Sequence, residues 1–462
     1  MTSSPSKPLF IRHARLLATM DDQGREIEDG ALLIRDGAIA WVGLTPAQRS
    51  DEARLDLPED VTIIDAHDLV LLPGMINTHH HLFQSLTRAL PGAQDAALFG
   101  WLRTLYPLWA RITPEMITIS AKLALCELVL SGCTTVADHL YLFPNGSRLD
   151  DEIRAAQELG VRFHPSRGSM SLGESEGGLP PDAVIEDEEY ILNDTRRVIE
   201  TYHDPGPRAL LRIAVGPCAP FNVSEDLMRQ SAVLGRAYGL QLHTHVAETK
   251  DEEDYTLEQV GMRPIPYMHS LGWTGPDVWW AHAVWPNEAE VQLMAGTGTG
   301  VAHCPSSNMR LGSGIAPVRA YLDAGVRVGL AVDGSASNDS GHMLAEARQA
   351  MLLQRVLQGA DALTAREALQ IATRGGASVL GRDDIGVLAP GMAADVVGFD
   401  VSGIDHAGAQ ADPLGALLFC HPGRVALSII NGRVIVEDGQ LVEVDLSALV
   451  SQHNNLSRSL QG

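Results

Sequence analysis

Eight short apolar runs, each followed by a helix-length segment or a loop, constrain the fold of this 462-residue chain more than any other feature. Continuous apolar runs are typical of strands covered on both faces, as in parallel sheets. Eight such units over roughly 310 residues fit the usual length of a TIM barrel, about 200–400 residues. The pattern predicts an α/β fold with a (β/α)₈ barrel, its strands at residues 71–78, 134–139, 161–166, 211–217, 240–246, 278–283, 300–304 and 326–332 and its helices including 114–131, 224–238 and 287–295.

The two ends of the chain have a different pattern, in which short alternating β segments are separated by turn signals. Asn431-Gly432 and Asp438-Gly439 predict hairpin turns near the C-terminus. We therefore expect one composite β-sandwich domain from both ends and a central barrel. The predicted divisions are 1–70 with 385–445 for the sandwich, 71–384 for the barrel, and 446–462 for a C-terminal tail.

Charge and cysteine content exclude several classes of function. The chain has a net charge of −24, which repels phosphate backbones and anionic lipids, so neither nucleic acid nor a membrane is expected as a partner. Its five cysteines are scattered and form no C-x-x-C pair, which favours a reducing cytoplasm over an oxidising compartment. We expect a soluble enzyme with a small-molecule substrate, and homo-oligomers are common among such barrels.

Potential metal ligands lie where the predicted strands end. A strand's period of two places His79 and His81 on one face and His80 on the other. Two imidazoles so placed can hold one ion, and His245 and Asp333, from distant strands, would complete its ligands. With water in the remaining position this is a hydrolytic metal centre. Taken singly, each residue has another explanation, such as a wall histidine or, for Asp333, a turn cap.

The ordered motifs together resemble those of the amidohydrolase superfamily, in its aminohydrolase branch, over nearly the whole chain. They include Leu-Pro-Gly-Met-Ile-Asn-Thr-His-His-His at 72–81, His-Thr-His-Val-Ala-Glu-Thr at 243–249, Trp-Ala-His at 280–282 and Val-Asp-Gly at 332–334. The resemblance implies that His79, His81, His245 and Asp333 are metal ligands. It also implies that Glu248 is a proton shuttle, that His282 polarises water or the leaving group, and that Asp333 accepts a proton.

The lysine content favours one metal ion over two. Members with two metals typically bridge them through a carboxylated lysine on the fourth strand, but the three lysines here are Lys7, Lys122 and Lys250. None lies near residues 211–217, which disfavours a ring-opening cyclic amidohydrolase. Three histidines and one aspartate suit Zn²⁺, and Fe²⁺ or Mn²⁺ are compatible. A non-catalytic metal-binding barrel would lack the acid–base group that Glu248 supplies.

Candidate substrate-binding residues follow the metal motifs. Gln84 could bind a ring amide, Asn222 could face the ligand, and Phe83 or Trp109 could stack on a planar ring. A surface or capping role for Gln84 is equally consistent with the sequence, whereas the sequence favours a turn or cap role for Asn222 and plain core roles for Phe83 and Trp109.

The substrate expectation rests on two loops, 105–111 and 168–182, which look like those of 8-oxoguanine deaminases. We expect hydrolysis of 8-oxoguanine to uric acid and ammonia. Similar sequences act on hydroxydechloroatrazine-type triazines, and guanine is a further alternative, because each substrate has an amine on a carbon beside ring nitrogen.

Overall fold

The computed structural model describes residues 7–46, 55 and 57–462; residues 1–6, 47–54 and 56 of the predicted sandwich domain lie outside the described residues. It confirms the predicted barrel, because eight parallel strands pair side by side in chain order. The Thr78 amide donates to the Leu330 carbonyl at 3.0 Å, which joins the last strand to the first. The barrel strands are Met75–Asn77, Cys133–Leu140, Arg162–Ser169, Ala214–Pro217, Leu242–Val246, Val278–His282, Gly300–His303 and Arg327–Leu330.

Helices follow the strands on the outside of the barrel, and side-chain caps define where several begin. Ser224 accepts a hydrogen bond from the Leu227 amide at 3.0 Å, and Asn287 accepts one from the Glu290 amide at 2.9 Å. Both are N-caps, so the helices predicted to start at these residues begin one residue later. The helices are Leu98–Trp109, Pro114–Leu130, Leu149–Leu159, Glu188–Tyr202, Glu225–Ala237, Lys250–Val260, Pro264–Ser270, Glu288–Thr297, Pro305–Arg310, Val318–Ala324, Met343–Gln358, Ala365–Gln370, Gly376–Val379, Pro413–Phe419 and Leu446–Gln461.

One predicted strand, 71–78, is divided between two sheets. Its first part, Leu69–Pro73, pairs antiparallel with Val396–Asp400 outside the barrel, and only Met75–Asn77 belongs to the barrel. Gly74 lies at the division, where a Cβ would lie 2.0 Å from the Thr134 hydroxyl oxygen. An apolar run indicates that a strand is buried but not to which sheet the strand belongs. The sequence pattern therefore predicted one strand where the structure has two.

Strands from both ends of the chain share one seven-stranded sheet. Its order is Gln440–Leu441, Arg433–Glu437, Leu427–Ile430, Val396–Asp400, Leu69–Pro73, Leu16–Ala18 and Glu26–Ile27. A separate four-stranded sheet has the order Ala38–Leu44, Gly30–Arg35, Leu9–Ala14 and Thr62–Asp65. The hairpin turn at Asn431-Gly432 has positive φ at both residues, 50° and 78°, as a type I′ turn requires. The domain boundaries at 70 and 384 stay a proposal.

The barrel interior is packed with side chains and forms the floor of the site. Trp279 is fully buried there together with Ile76, Ala137, Ala214 and Ala302. Its indole N–H donates to the Thr78 carbonyl at 3.0 Å, which fixes the ring just before the His79 motif. Among the described residues, no helix is long and apolar enough to cross a membrane.

Candidate active site

The imidazoles of His79, His81 and His245 and the carboxylate of Asp333 converge at the C-terminal ends of the strands. The Nε2 atoms of His81 and His245 lie 3.2 Å apart, and Asp333 Oδ1 lies 3.2 Å from His79 Nε2 and 3.4 Å from His81 Nε2. The three histidines form one possible metal-binding group, and His79, His282 and Asp333 form another. The structure therefore brings together the four residues proposed as ligands.

The surrounding hydrogen bonds fix the tautomers of these histidines. His81 Nδ1 donates to the His139 carbonyl at 2.7 Å, and His245 Nδ1 donates to the Cys218 carbonyl at 2.6 Å. Because a carbonyl only accepts, the neutral rings carry their proton on Nδ1 and present Nε2 as a lone pair. Two lone pairs 3.2 Å apart beside a carboxylate repel one another unless a cation lies between them.

The tautomer of His79 is determined by its hydrogen bond to His243. His243 Nδ1 donates to the Trp279 carbonyl at 3.0 Å, so its Nε2 accepts from His79 Nδ1 at 2.7 Å. The Nε2 of His79 is buried and makes no hydrogen bond to the described residues. His243 thus has a partner of its own and orients a ligand, as outer hydrogen bonds do in metal sites.

This donor set fits a divalent ion such as zinc. Ligand atoms that each lie about 2.0–2.2 Å from one zinc ion are roughly 3–3.5 Å from one another, close to the three separations of 3.2–3.4 Å found here. His80 belongs to none of the possible metal-binding groups of the described chain. Burial lowers the pKa of His80 to about 3, which keeps it neutral.

The possible acid–base groups Glu248 and His282 lie beside the proposed ligands. His282 Nε2 is 3.7 Å from Glu248 Oε2 and 3.9 Å from Asp333 Oδ2. On its other side, His282 Nδ1 lies 2.9 Å from the Asn308 side-chain oxygen, to which it donates. His282 and Asp333 have φ values of 72° and 64°, a strained backbone conformation that is concentrated at functional sites.

The buried charges shift the pKa of each group. Burial, with Asp333 adding to it, raises the pKa of Glu248 to about 7. Burial alone lowers the pKa of His282, but Glu248 and Asp333 outweigh it and raise that pKa above its usual value. Burial opposes ionisation of Asp333, yet its contact with His79 holds the pKa of that carboxyl well below its usual range. A carboxyl with a pKa near 7 can both take and give a proton at neutral pH.

A pocket opens above these groups. Gln84 and Asn222 line it, as does Ser337, whose hydroxyl donates to Asp333 Oδ2 at 3.0 Å. The Asn222 amide nitrogen donates to the Tyr106 hydroxyl at 3.4 Å, while its side-chain oxygen is buried without a partner among the described residues. Apolar side chains form most of the rest of the wall: Leu98, Trp101, Leu102, Tyr106, Tyr141, Phe221 and Leu311.

Trp109 does not line the cavity. Its indole N–H donates to the Thr87 hydroxyl at 3.1 Å, and its ring packs edge-on against Phe83, Trp101 and Tyr106. Phe83 is likewise behind the wall. The aromatic side chains at the cavity are Trp101, Tyr106, Tyr141 and Phe221, which the sequence patterns did not indicate. Trp101 and Trp109 are eight residues apart and lie on the same helical face, so helical spacing does not separate the one at the cavity from the one behind its wall.

None of the three lysines lies at the metal centre. Lys122 pairs with Glu158 at 2.8 Å, Lys250 pairs with Glu253 at 3.1 Å, and Lys7 is exposed. The lysine bridge of binuclear sites is therefore absent from this centre.

Comparison with known proteins agrees with this geometry. The amidohydrolase family model matches residues 70–435. The 8-oxoguanine deaminase of Pseudomonas aeruginosa is 46% identical over 436 residues, covering 93% of this chain and 95% of that protein. The hydroxydechloroatrazine ethylaminohydrolase of Pseudomonas sp. (strain ADP) is 36% identical over 441 residues, covering 93% and 91%.

A solved structure is similar over nearly the whole chain. The atrazine chlorohydrolase of Arthrobacter aurescens TC1 complexed with zinc is 36% identical, with a TM-score of 0.91 and coverage of 97% of this chain and 100% of that one. The protein is a hydrolase of carbon–nitrogen bonds that takes a divalent metal ion. The chain belongs to the amidohydrolase family.

Proposed function

We propose that the protein deaminates a planar heterocyclic amine, and that its substrate is 8-oxoguanine, which with water gives uric acid and ammonia. The observation that carries the choice of substrate is the Asn222 side-chain oxygen, a buried hydrogen-bond acceptor with no partner in the wall of the cavity. A buried acceptor of this kind strongly favours a ligand that donates to it.

8-Oxoguanine supplies such a donor where guanine does not. Its five-membered ring has an N–H at both N7 and N9 and a carbonyl at C8, whereas guanine has a single N–H to share between N7 and N9. We assign the N7–H to the Asn222 oxygen and the pyrimidine amide edge to Gln84, which is fully buried and also lines the cavity. A site that pairs such groups rejects an analogue lacking them by about 10⁴-fold or more.

The reaction uses the groups around the proposed ligands. A bound divalent ion lowers the pKa of a coordinated water towards about 7. With such an ion held by His79, His81, His245 and Asp333, Glu248 would take a proton from the attacking water and give it to the ring nitrogen beside the amino-bearing carbon, which makes that carbon electrophilic. The water oxygen would bond to this carbon, and the bond from the carbon to the amino nitrogen would then break. His282 and Asp333, whose closest atoms are 3.9 Å apart, then direct a proton to the departing ammonia.

The similarity to the deaminase of Pseudomonas aeruginosa at 46% identity supports 8-oxoguanine over the triazine substrates of relatives at 36%. A triazine aminohydrolase or a guanine deaminase would use the same metal and acid–base groups. A triazine ring has no N–H that corresponds to N7–H and would leave the Asn222 oxygen unpaired, while guanine has this donor only in its N7–H tautomer.

The test compares kcat/KM for 8-oxoguanine, guanine, isoguanine, cytosine and a hydroxy-triazine on the zinc-loaded protein, by ammonia release. We expect 8-oxoguanine to have the highest kcat/KM of the five substrates. A triazine or guanine that exceeds it by about tenfold, or roughly 1.4 kcal/mol of transition-state preference, would overturn the substrate and leave the deaminase reaction standing. Glu248→Gln, assayed in parallel, separates enzyme turnover from contaminating activity.

We further propose that the protein acts in the cytoplasm without nucleic-acid or membrane partners, and that copies of the chain associate. The five cysteines are free thiols, which supports a reducing compartment. The net charge of −24 supports the absence of anionic partners.

A further inference from the structure

The C-terminal helix Leu446–Gln461 packs against the segment that follows the metal motif. That segment, Leu82–Thr87, is a short 3₁₀ helix whose residues are all buried. The helix contacts it and the neighbouring helix Pro114–Leu130. The proposed tail is therefore an outer layer behind one wall of the active site.

Two side chains of the C-terminal helix donate to the same carbonyl. The Ser457 hydroxyl donates to the Leu86 carbonyl at 2.7 Å, and the Gln461 amide donates to it at 3.0 Å. Leu86 itself is fully buried, where an unpaired carbonyl is costly. These two hydrogen bonds thus fix the backbone two residues after Gln84.

Two further contacts hold the helix in place. The Ser85 hydroxyl lies 3.0 Å from His453 Nε2 and 3.3 Å from the Ser120 carbonyl. Because the hydroxyl donates to the carbonyl, it accepts from the imidazole. The Arg111 guanidinium donates to the Leu460 carbonyl near the end of the helix. The helix is thus joined both to Ser85, the residue before Leu86, and to Arg111.

Gln84 connects this layer to the reaction centre. The backbone N–H of Gln84 donates to the carbonyl of the proposed ligand His81 at 3.0 Å. The Thr87 hydroxyl in turn donates to the Gln84 backbone carbonyl at 3.2 Å. Its side-chain oxygen accepts from the Ala336 amide at 3.4 Å. Movement of Leu82–Thr87 would therefore move the carboxamide that lines the cavity.

We propose that Ser457 and Gln461 are positioning residues that hold the Gln84 side chain in the substrate-binding wall. This inference rests on the proposed function in one respect, the contact of Gln84 with the substrate. Ser457 and Gln461 act through the Leu86 carbonyl and contact neither the substrate nor the metal. Their loss should weaken substrate binding and leave the metal in place.

The experiment uses the full-length zinc-loaded protein and compares Ser457→Ala, Gln461→Ala and the double variant. Ser459→Ala is the matched control, because Ser459 is an exposed serine on the same helix. Loss of one hydrogen bond corresponds to about a fivefold change in affinity, so we expect KM for 8-oxoguanine to rise about fivefold in each single variant. kcat and zinc content should change little, and Ser457→Thr should restore KM.

A second measurement does not depend on the substrate. Amide hydrogen exchange of peptides covering residues 82–88 should speed up in the double variant and not in Ser459→Ala. Unchanged exchange together with unchanged KM would overturn the positioning role. If the protein deaminates none of the heterocycles, the exchange result still decides whether the helix fixes this segment, so the two failures are distinguishable.

A double-mutant cycle with Gln84→Ala identifies the route of the effect. If Ser457 and Gln461 act through Gln84, their replacement adds no further rise in KM once Gln84 is alanine. Full additivity would show that the helix acts elsewhere and would overturn the proposal. Equal loss of thermal stability and of kcat in all variants, with KM unchanged, would indicate a purely structural contact.

Discussion

The Glu252 carboxylate accepts a hydrogen bond from the Glu248 backbone N–H at 2.8 Å, and its other oxygen accepts one from the Ala247 N–H at the same distance. Ala247 has a φ of 54°, which is uncommon for a residue with a side chain. Glu252 thus stabilises the turn that directs Glu248 into the cavity. The sequence analysis did not identify Glu252, because nothing in its helix distinguishes it from its acidic neighbours.

We expect Glu252→Gln to lower kcat without loss of zinc. The glutamine keeps one acceptor oxygen but places an N–H₂ group against a backbone N–H. Hydrogen bonds to charged groups contribute about 1.5–3 kcal/mol, so kcat should fall by about 10- to 100-fold. Glu258→Gln, an exposed position on the same helix, is the control and should keep normal kcat.

Glu248→Gln should lower kcat by at least about 10²-fold, because the variant keeps the size of the side chain but removes the proton shuttle. Zinc content, measured on the same sample, should stay at the wild-type value. Near-normal turnover in this variant would exclude the proposed role of Glu248. His282→Asn should likewise reduce kcat more than zinc content.

Removal of the metal should abolish activity, and one equivalent of Zn²⁺ per chain should restore it. His245→Ala removes one of the proposed ligands and should lower zinc content and activity together. His67→Ala, at an exposed histidine, should change neither. Metal analysis that finds two ions per chain at full activity would contradict a single-metal centre.

Asn222→Leu should lower kcat/KM for 8-oxoguanine by at least about 10²-fold, because a buried N7–H would be left without an acceptor. Asn222→Asp keeps an acceptor oxygen and should retain more of the activity. The expected result is a loss of preference for 8-oxoguanine over guanine. An equal decrease for both purines would place Asn222 outside the recognition of the five-membered ring.

A buried carboxyl pair behind the metal motif should make stability depend on pH. Asp138 Oδ1 accepts from the Leu82 amide at 2.8 Å, and burial raises the pKa of both Asp138 and the neighbouring Glu152. The folded state therefore retains protons that the unfolded state releases as pH rises above about 4. This contribution to stability is full at low pH and is lost as pH rises towards the folded pKa.

Asp138→Asn replaces one titrating carboxyl with a permanent N–H and should reduce this dependence, although Glu152 stays buried and still titrates. Relative to the variant, the wild-type Tm should fall between about pH 4 and about pH 7, as followed by circular dichroism. A Tm difference that does not change with pH would mean that the pair is not protonated in the folded protein.

Sequence patterns predicted the strands well because burial on both faces leaves continuous apolar runs. They also indicated the convergence of His79, His81, His245 and Asp333, since parallel strands bring their C-terminal ends together. They could not show that Gly74 divides a strand between sheets, which depends on contact with Thr134. Nor could they assign Trp109 to a position behind the cavity wall, because an aromatic residue on a helix is apolar whether it faces core or ligand.

The pairing of Leu69–Pro73 with Val396–Asp400 also limits how early during translation the protein can complete its folding. The first of these strands leaves the ribosome more than 300 residues before its partner is synthesised. Pairing between distant parts of a chain forms late, so the barrel strands can assemble while this sheet is still incomplete. The backbone that leads into His79 is fixed on both sides only after nearly the whole chain has been translated.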